Sequence, residues 1–261
     1  MALYDTIGRT YAQTRSSDPR IAAKLLEILM SRQASTIVDI GAGTGSYALV
    51  LAEHGYRVLA VEPSATMQSQ VIAHPAIEWI EGYAENLPLF NQSADAAIIM
   101  LALHHFQNYQ QALYEVHRVT GGGQIVLFTY DPAMISEFWL TKYFPSFVKD
   151  IESTFLPIPQ LAAVIQAVTG MRVSVVPFPL PQDLSDAFAA VGWARPELYF
   201  NSIVRHGISS FAKITDEELQ QGLSSLREDL EMGVWEQKYG QLRQLKEYDV
   251  GYRFLYTIAA S

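Results

Sequence analysis

Three glycines at alternate positions, Gly41, Gly43 and Gly45, follow directly on the short apolar run Ile37 to Ile40. Glycine adopts positive φ at little cost and lets a ligand come close to the backbone. Tyr47 to Glu53 then reads as a helix that stops at Gly55. The first N–H groups of a helix have no partner within it and point at whatever lies before it. Strand, glycine turn and helix start together make a nucleotide-type site. Glu62 closes a second apolar run, Val58 to Val61. In a parallel sheet the ligand lies beyond the carboxyl ends of the strands. A carboxylate there can accept hydrogen bonds from both hydroxyls of a ribose. The alternative is that Glu62 caps a helix starting after Ser64. His104 and His105 end a third apolar run that begins at Asp95. His104 is the candidate base, against the plainer reading of a hydrogen-bonded structural histidine.

The spacing narrows the nucleotide. A dinucleotide-binding turn reads G-x-G-x-x-G and would need glycine at position 46, where this chain has Ser46. An NAD(P)-dependent oxidoreductase is therefore the weaker reading of the same strand, turn and helix.

These residues need elements to hold them. Asp18-Pro19 starts a helix with Ile21, Leu25, Ile28 and Leu29 at helical spacing. Ser64 to Ile72 reads as a helix, and Ile77 to Ile80 as a third strand. Ala96 onward is the fourth, central strand. Asn108 caps a helix with Ala112, Leu113 and Val116 on one face, and Gln124 to Tyr130 is the fifth strand. An aromatic-rich insertion containing Phe138, Trp139, Tyr143, Phe144 and Phe147 precedes a helix over Gln160 to Val168. It reads as cap core or as the wall of a substrate pocket. Arg172 to Phe178 alternates as a strand, and Leu184 to Gly192 has the spacing of a short helix. Thr215-Asp-Glu-Glu218 is a capping box, with Leu219, Leu223, Leu226 and Leu230 on one stripe as core or a dimer face. Gly251 to Ile258 is the last strand. Alternating strands and helices imply an α/β fold, doubly wound about a mostly parallel sheet.

Composition sets outer bounds. The chain has 261 residues, 49% of them hydrophobic, enough for a sizeable core. It has no cysteine, which removes disulfides, thiolate ligands and a cysteine nucleophile, and makes a metal site improbable. A net charge of −9 without basic clusters argues against nucleic acid. No apolar run is long enough to span a bilayer, and the start has no signal-peptide pattern, so a cytoplasmic location is expected.

Gly-x-Gly-x-Gly after Val38-Asp39-Ile40, Glu62 ending the next strand, Gly82-Tyr-Ala-Glu-Asn-Leu-Pro88, Leu103-His-His-Phe106 and Arg118-Val-Thr-Gly-Gly122 come in order. This series resembles the class I S-adenosylmethionine (SAM)-dependent methyltransferases, type-11 subfamily, over Thr36 to Tyr130. The resemblance implies a Rossmann-like seven-stranded sheet with one antiparallel strand near the end, and an α-rich cap from C-terminal insertions. It implies one domain over 1–261, with a helical lid at 1–35, a SAM-binding core at 36–130 and cap insertions plus the last two strands at 131–261. The cofactor would be SAM. Its turn would be Asp39, Gly41, Ala42, Gly43 and Gly45, with Glu62 and Pro63 at the ribose. Met67, Tyr83, Ala84 and Glu85 would meet the adenine, and Met100 and Leu101 the methionine part. Tyr4, Tyr11 and Arg15 would close over it. Tyr83 is a departure, because the subfamily usually has Asp there to accept from the adenine amino group. Glu85 or a backbone carbonyl would have to replace it. The function implied is methyl transfer to an O, N or C nucleophile of a small organic molecule, such as a secondary metabolite, by a monomer or homodimer. The alternative is a non-catalytic SAM-binding or interaction protein on the same scaffold.

Overall fold

The computed structural model describes residues 15–30 and 34–258. Seven strands form the main sheet: β1 (Thr36–Ile40), β2 (Arg57–Val61), β3 (Ile77–Ile80), β4 (Ala96–Met100), β5 (Gln124–Tyr130), β6 (Arg172–Pro177) and β7 (Tyr252–Ile258). Their spatial order is β3-β2-β1-β4-β5-β7-β6. The first five are parallel, and β7 runs antiparallel to both β5 and β6. Every residue of β4 and β5 is buried, as expected for parallel strands covered on both faces. The order of winding reverses between β1 and β4, which opens a crevice at their carboxyl ends.

Helices cover both faces. On one lie α1 (Pro19–Met30) and α2 (Ser46–Glu53), whose Leu25, Leu29, Tyr47 and Leu51 pack with Ile37 and Ile98. On the other lie α4 (Tyr109–Thr120) and α6 (Ile158–Thr169), whose Leu113, Val116, Leu161 and Ile165 pack on Val38, Ile99 and Leu127. Each such side chain contributes roughly 1.5–3 kcal/mol by leaving water. The Asp18 carboxylate accepts from the Arg20 N–H at 2.9 Å, as a cap should, and also from the Ser185 N–H and hydroxyl at 3.0 and 3.1 Å. The start of α1 is thereby tied to the C-terminal half.

The sequence expectations fail in four places. α3 covers only Ala65–Gln68, not Ser64 to Ile72. The Ser69 hydroxyl and the Gln70 amide both donate to the Thr66 carbonyl at 2.8 Å and compete with the next helical turn. The insertion after β5 forms a helix of its own, α5 (Ser146–Thr154), and α6 starts at Ile158, directly after Pro157. Leu184 to Gly192 is a string of turns, such as Val191 N–H to Phe188 carbonyl, not a helix. The Thr215 hydroxyl caps α8 (Asp216–Glu231), but Glu218 accepts from the Ser146 N–H and hydroxyl instead of completing the capping box.

The leucine stripe of α8 faces inward: Leu226 is fully buried, and Leu219, Leu223 and Leu230 pack against the same core. α7 (Ser202–His206) and α9 (Val234–Tyr239) complete this cap. Ser146–Thr169 is, among the described residues, the one stretch long and apolar enough to cross a membrane. Here it is two helices, and Phe147, Ile151, Leu161 and Ile165 pack into the protein.

Candidate functional site

The glycine turn is pinned to the neighbouring strand. The N–H groups of Gly41 and Ala42 both donate to the Val61 carbonyl, at 2.9 and 3.1 Å. Gly41, Gly43 and Gly45 all have positive φ, between 60° and 82°. At Gly41 and Gly45 close packing adds a second demand. A Cβ on Gly41 would lie 2.6 Å from Cβ of Ala102, and one on Gly45 would lie 2.6 Å from the Trp79 ring.

Glu62 is 6% exposed and stands where β2 ends. Its Oε2 accepts from the Gly43 N–H and its Oε1 from the Ser64 N–H, both at 2.9 Å. A carboxylate has about four acceptor positions, so two remain. The cap of α3 is the Ser64 hydroxyl, which accepts from the Met67 N–H. Burial pushes the Glu62 carboxyl up, against the two N–H groups, which hold it down. Asp39 lies beneath, buried on the face of β1 that α1 and α2 cover. Burial, and then the nearby Glu62, push Asp39 up to about 8.

The loop from Gly82 to Leu89 is held by a pair that sequence reasoning missed. Glu115 accepts from the Leu87 N–H at 2.9 Å, and Arg118 donates to the Leu87 and Leu89 carbonyls at 3.1 and 2.8 Å. Arg118, hydrogen-bonded to Glu115, holds that carboxyl below its ordinary range. The basic last turn of α4 thus serves as a clamp, where the sequence suggested only a favourable helix dipole. Glu85 is committed too: its Oε1 accepts from the Gln107 and Asn108 N–H groups at 2.6 and 3.2 Å.

Two cavities open at this edge of the sheet. The larger, about 280 Å³, is lined by Gly41, Ala42, Gly43, Glu62, Pro63, Met67, Tyr83, Ala84, Glu85, Met100 and Leu101. Arg15 and Asp186 close one side of it. Two residues expected here do not line it. Asp39 lies behind Glu62, and Gly45 opens α2 and gives room to Trp79. Tyr4 and Tyr11 lie outside the described residues. The smaller cavity, about 70 Å³, is lined by His104, Tyr130 and a group of phenylalanines, and shares Arg15 and Leu101 with the larger. Leu101 has φ +53°, rare for a bulky residue. Arg15 forms an ion pair with the buried Asp186, 171 residues away. Burial raises the Asp186 carboxyl, and Arg15 opposes this. Asp186 gave no sequence signal. Tyr130 gave one that went unused, since it is the last residue of β5, at the ligand edge of the sheet.

His104 stands in the short turn after β4, its ring stacked on Phe155 at 4.5 Å. It is partly open to the cavity and enclosed by protein elsewhere. That enclosure holds its imidazole well below the ordinary range. His105 lines the larger cavity and is exposed there. Among the described residues, no group of three or more His, Asp or Glu stands together as a metal site.

The larger cavity has what an adenosine-bearing ligand requires. It is close to the roughly 300 Å³ at which small-molecule sites begin. A buried carboxylate with spare acceptor positions faces it, and a bare glycine turn forms its floor. Tyr83 is 63% exposed and lies along the wall, so the change from Asp leaves the space open.

Comparisons with known proteins agree. A family model described as a methyltransferase domain, type 11, matches residues 38–128. A solved structure from Anabaena variabilis, assigned as a methyltransferase of an antibiotic biosynthesis pathway, superposes with a TM-score of 0.90. It is 46% identical, over 94% of this chain and 99% of that one. The ubiquinone/menaquinone biosynthesis C-methyltransferase of Rubrivivax gelatinosus is 32% identical over 66% of this chain. The malonyl-[acyl-carrier protein] O-methyltransferase of Hamiltonella defensa is 26% identical over 48%. The chain spans 65% and 49% of the lengths of these two curated relatives.

Proposed function

This chain belongs to the type-11 methyltransferase-domain family, and we propose that it methylates a small organic molecule at O, N or C, with SAM as donor. The observation that carries this reading is Glu62, a buried carboxylate at the end of β2 fixed by the Gly43 and Ser64 N–H groups. Its two unused acceptor positions suit a ribose diol. Ala42 and Gly43 would floor the site, Met67, Tyr83 and Ala84 would border the adenine, and Arg15 would face the carboxylate end. Glu85 holds the loop before α4 through Oε1 and borders the same cavity.

When bound, SAM supplies a methyl group already activated by its sulfonium. What remains for the chain is to align donor and acceptor and to exclude water. Leu101 and Arg15, shared by the two cavities, mark where the reacting groups would meet. His104, uncharged in its enclosed setting, is the base proposed for an acceptor that must lose a proton. The likeness to the Anabaena protein supports an acceptor from secondary metabolism. The division into lid, core and cap belongs to the same reading.

Calorimetric titration of the purified chain with SAM and S-adenosylhomocysteine, beside Glu62→Ala, tests this. Binding that the substitution weakens by roughly 1.5–3 kcal/mol, the scale of a charge-assisted hydrogen bond, is expected. Absence of binding to either ligand would sink the reading.

A further inference from the structure

The smaller cavity is aromatic on most sides, with Phe138, Phe147, Phe155, Phe188 and Tyr252 in its wall. Two buried polar atoms in the same wall have no hydrogen-bond partner among the described residues, Tyr130 Oη and His104 Nδ1. One ring joins them: Phe155 lies 4.5 Å from the His104 ring and 5.9 Å from that of Tyr130, centroid to centroid. Both residues follow or end a parallel strand at the carboxyl edge of the sheet. Leaving such atoms unpaired is costly, and two in one wall call for a partner that the described residues do not supply.

Two other polar groups of this wall, the Ser210 hydroxyl and the Arg15 guanidinium, are taken. Ser210 donates its hydroxyl proton to Asp150 at 2.8 Å, and Arg15 is paired with Asp186. No uncompensated charge is left to receive an ion, and an ion stripped of water without a partner is strongly disfavoured. Tyr130 and His104 are themselves uncharged, because burial raises the one and lowers the other. An alkylamine would enter as a cation and a carboxylic acid as an anion. A phenol enters neutral, offers one donor and one acceptor, and has a ring for the aromatic wall. Size sets a limit too. A cavity of about 70 Å³ is well below the roughly 150 Å³ that admits benzene to a closed core. A phenol would therefore seat its hydroxyl edge in the cavity and keep the rest of its ring in the opening shared with the larger one.

Resting on the methyl-transfer reading, we propose that this cavity receives the acceptor as a small neutral phenol. Tyr130 donates to the phenol oxygen and His104 Nδ1 accepts from it. Tyr130 is thus a positioning residue that holds the oxygen, and His104, which accepts from the hydroxyl, selects for it and is set where the departing proton must go.

The test is a titration of the full chain, loaded with S-adenosylhomocysteine, with four probes that share one ring: 4-methylphenol, 4-methylanisole, 4-methylbenzoate and 4-methylbenzylamine. The phenol should bind at least about tenfold more tightly than the rest, since only it completes both hydrogen bonds without a charge. Tyr130→Phe should weaken the phenol about five- to tenfold and leave S-adenosylhomocysteine unaffected. Equal binding of the anisole or of a charged probe, no binding of any probe, or an unchanged phenol affinity in Tyr130→Phe overturns the proposal. Should the unloaded chain fail to take up S-adenosylhomocysteine yet still prefer the phenol, the methyl-transfer reading and the acceptor role fall, and the cavity stands as a phenol site alone.

Discussion

Glu62 Oε2 accepts a hydrogen bond from the Gly43 N–H at 2.9 Å, so the carboxylate after β2 and the turn after β1 form one rigid unit. Glu62→Gln is therefore not a silent change. Its amide would turn an NH₂ group toward the N–H of Gly43 or of Ser64. We expect a loss of about 1–3 kcal/mol in folding stability, from one buried donor left without an acceptor. Denaturant titration of the ligand-free chain checks this, separately from the binding titration.

Asp39 predicts a pH dependence. In the folded chain it keeps its proton up to about pH 8, through burial and then Glu62, while the unfolded chain releases it near ~3.9. Between those values the folded state binds the extra proton, so this group's contribution to stability falls as pH rises through the window. Carboxyls held low have the opposite sign. Asp95, held down by the Thr36 and Ser35 N–H groups, contributes fully once pH exceeds the ordinary carboxylate range. Asp39→Asn removes only the first effect. Its stability relative to the unsubstituted chain should rise from about pH 4 to about pH 8 and then level off. Denaturation midpoints across that range would show the gap, and a constant difference would contradict it.

Gly45→Ala should cost stability by two routes. Positive φ disfavours alanine by about 1–2 kcal/mol, and its methyl would lie 2.6 Å from the Trp79 ring, with overpacking of about 1–3 kcal/mol. A lowered Tm with a shifted tryptophan emission is expected. Gly55→Ala, which meets nothing within 4 Å at a similarly positive φ, isolates the backbone part.

His104→Gln keeps a polar side chain but removes the proton acceptor. Turnover should fall by about a hundredfold or more, the scale of general base catalysis, while S-adenosylhomocysteine affinity holds. Unchanged turnover would remove His104 from the chemistry.

Much of the larger cavity was readable in the sequence because short-range signals carry it. The glycine turn, Glu62 and the strands around them depend on local pattern, and the structure gathers Gly41, Gly43, Glu62, Met67 and Tyr83 around one cavity. Asp39 and Gly45 were assigned to that cavity because a motif says which residues matter, not which way they point. The smaller cavity was largely unreadable. Asp186 meets Arg15 across 171 residues, and no local pattern encodes that meeting. The string of turns around it has helical spacing by composition alone. Tyr130 could have been found by asking what stands at the carboxyl end of β5.

The Arg15–Asp186 pair and the shared wall at Leu101 have a bearing on how such a protein can diversify. Nearly all of the smaller cavity is built by residues after β5, whereas most of the larger is built before it. The family likeness at 38–128 covers only Leu101 and His104 of the smaller one. The later segment supplies most of the smaller cavity's wall: exchanged between relatives, it would reshape that wall and leave His104, Tyr130 and the glycine turn in place, provided the incoming piece brings a carboxylate to meet Arg15.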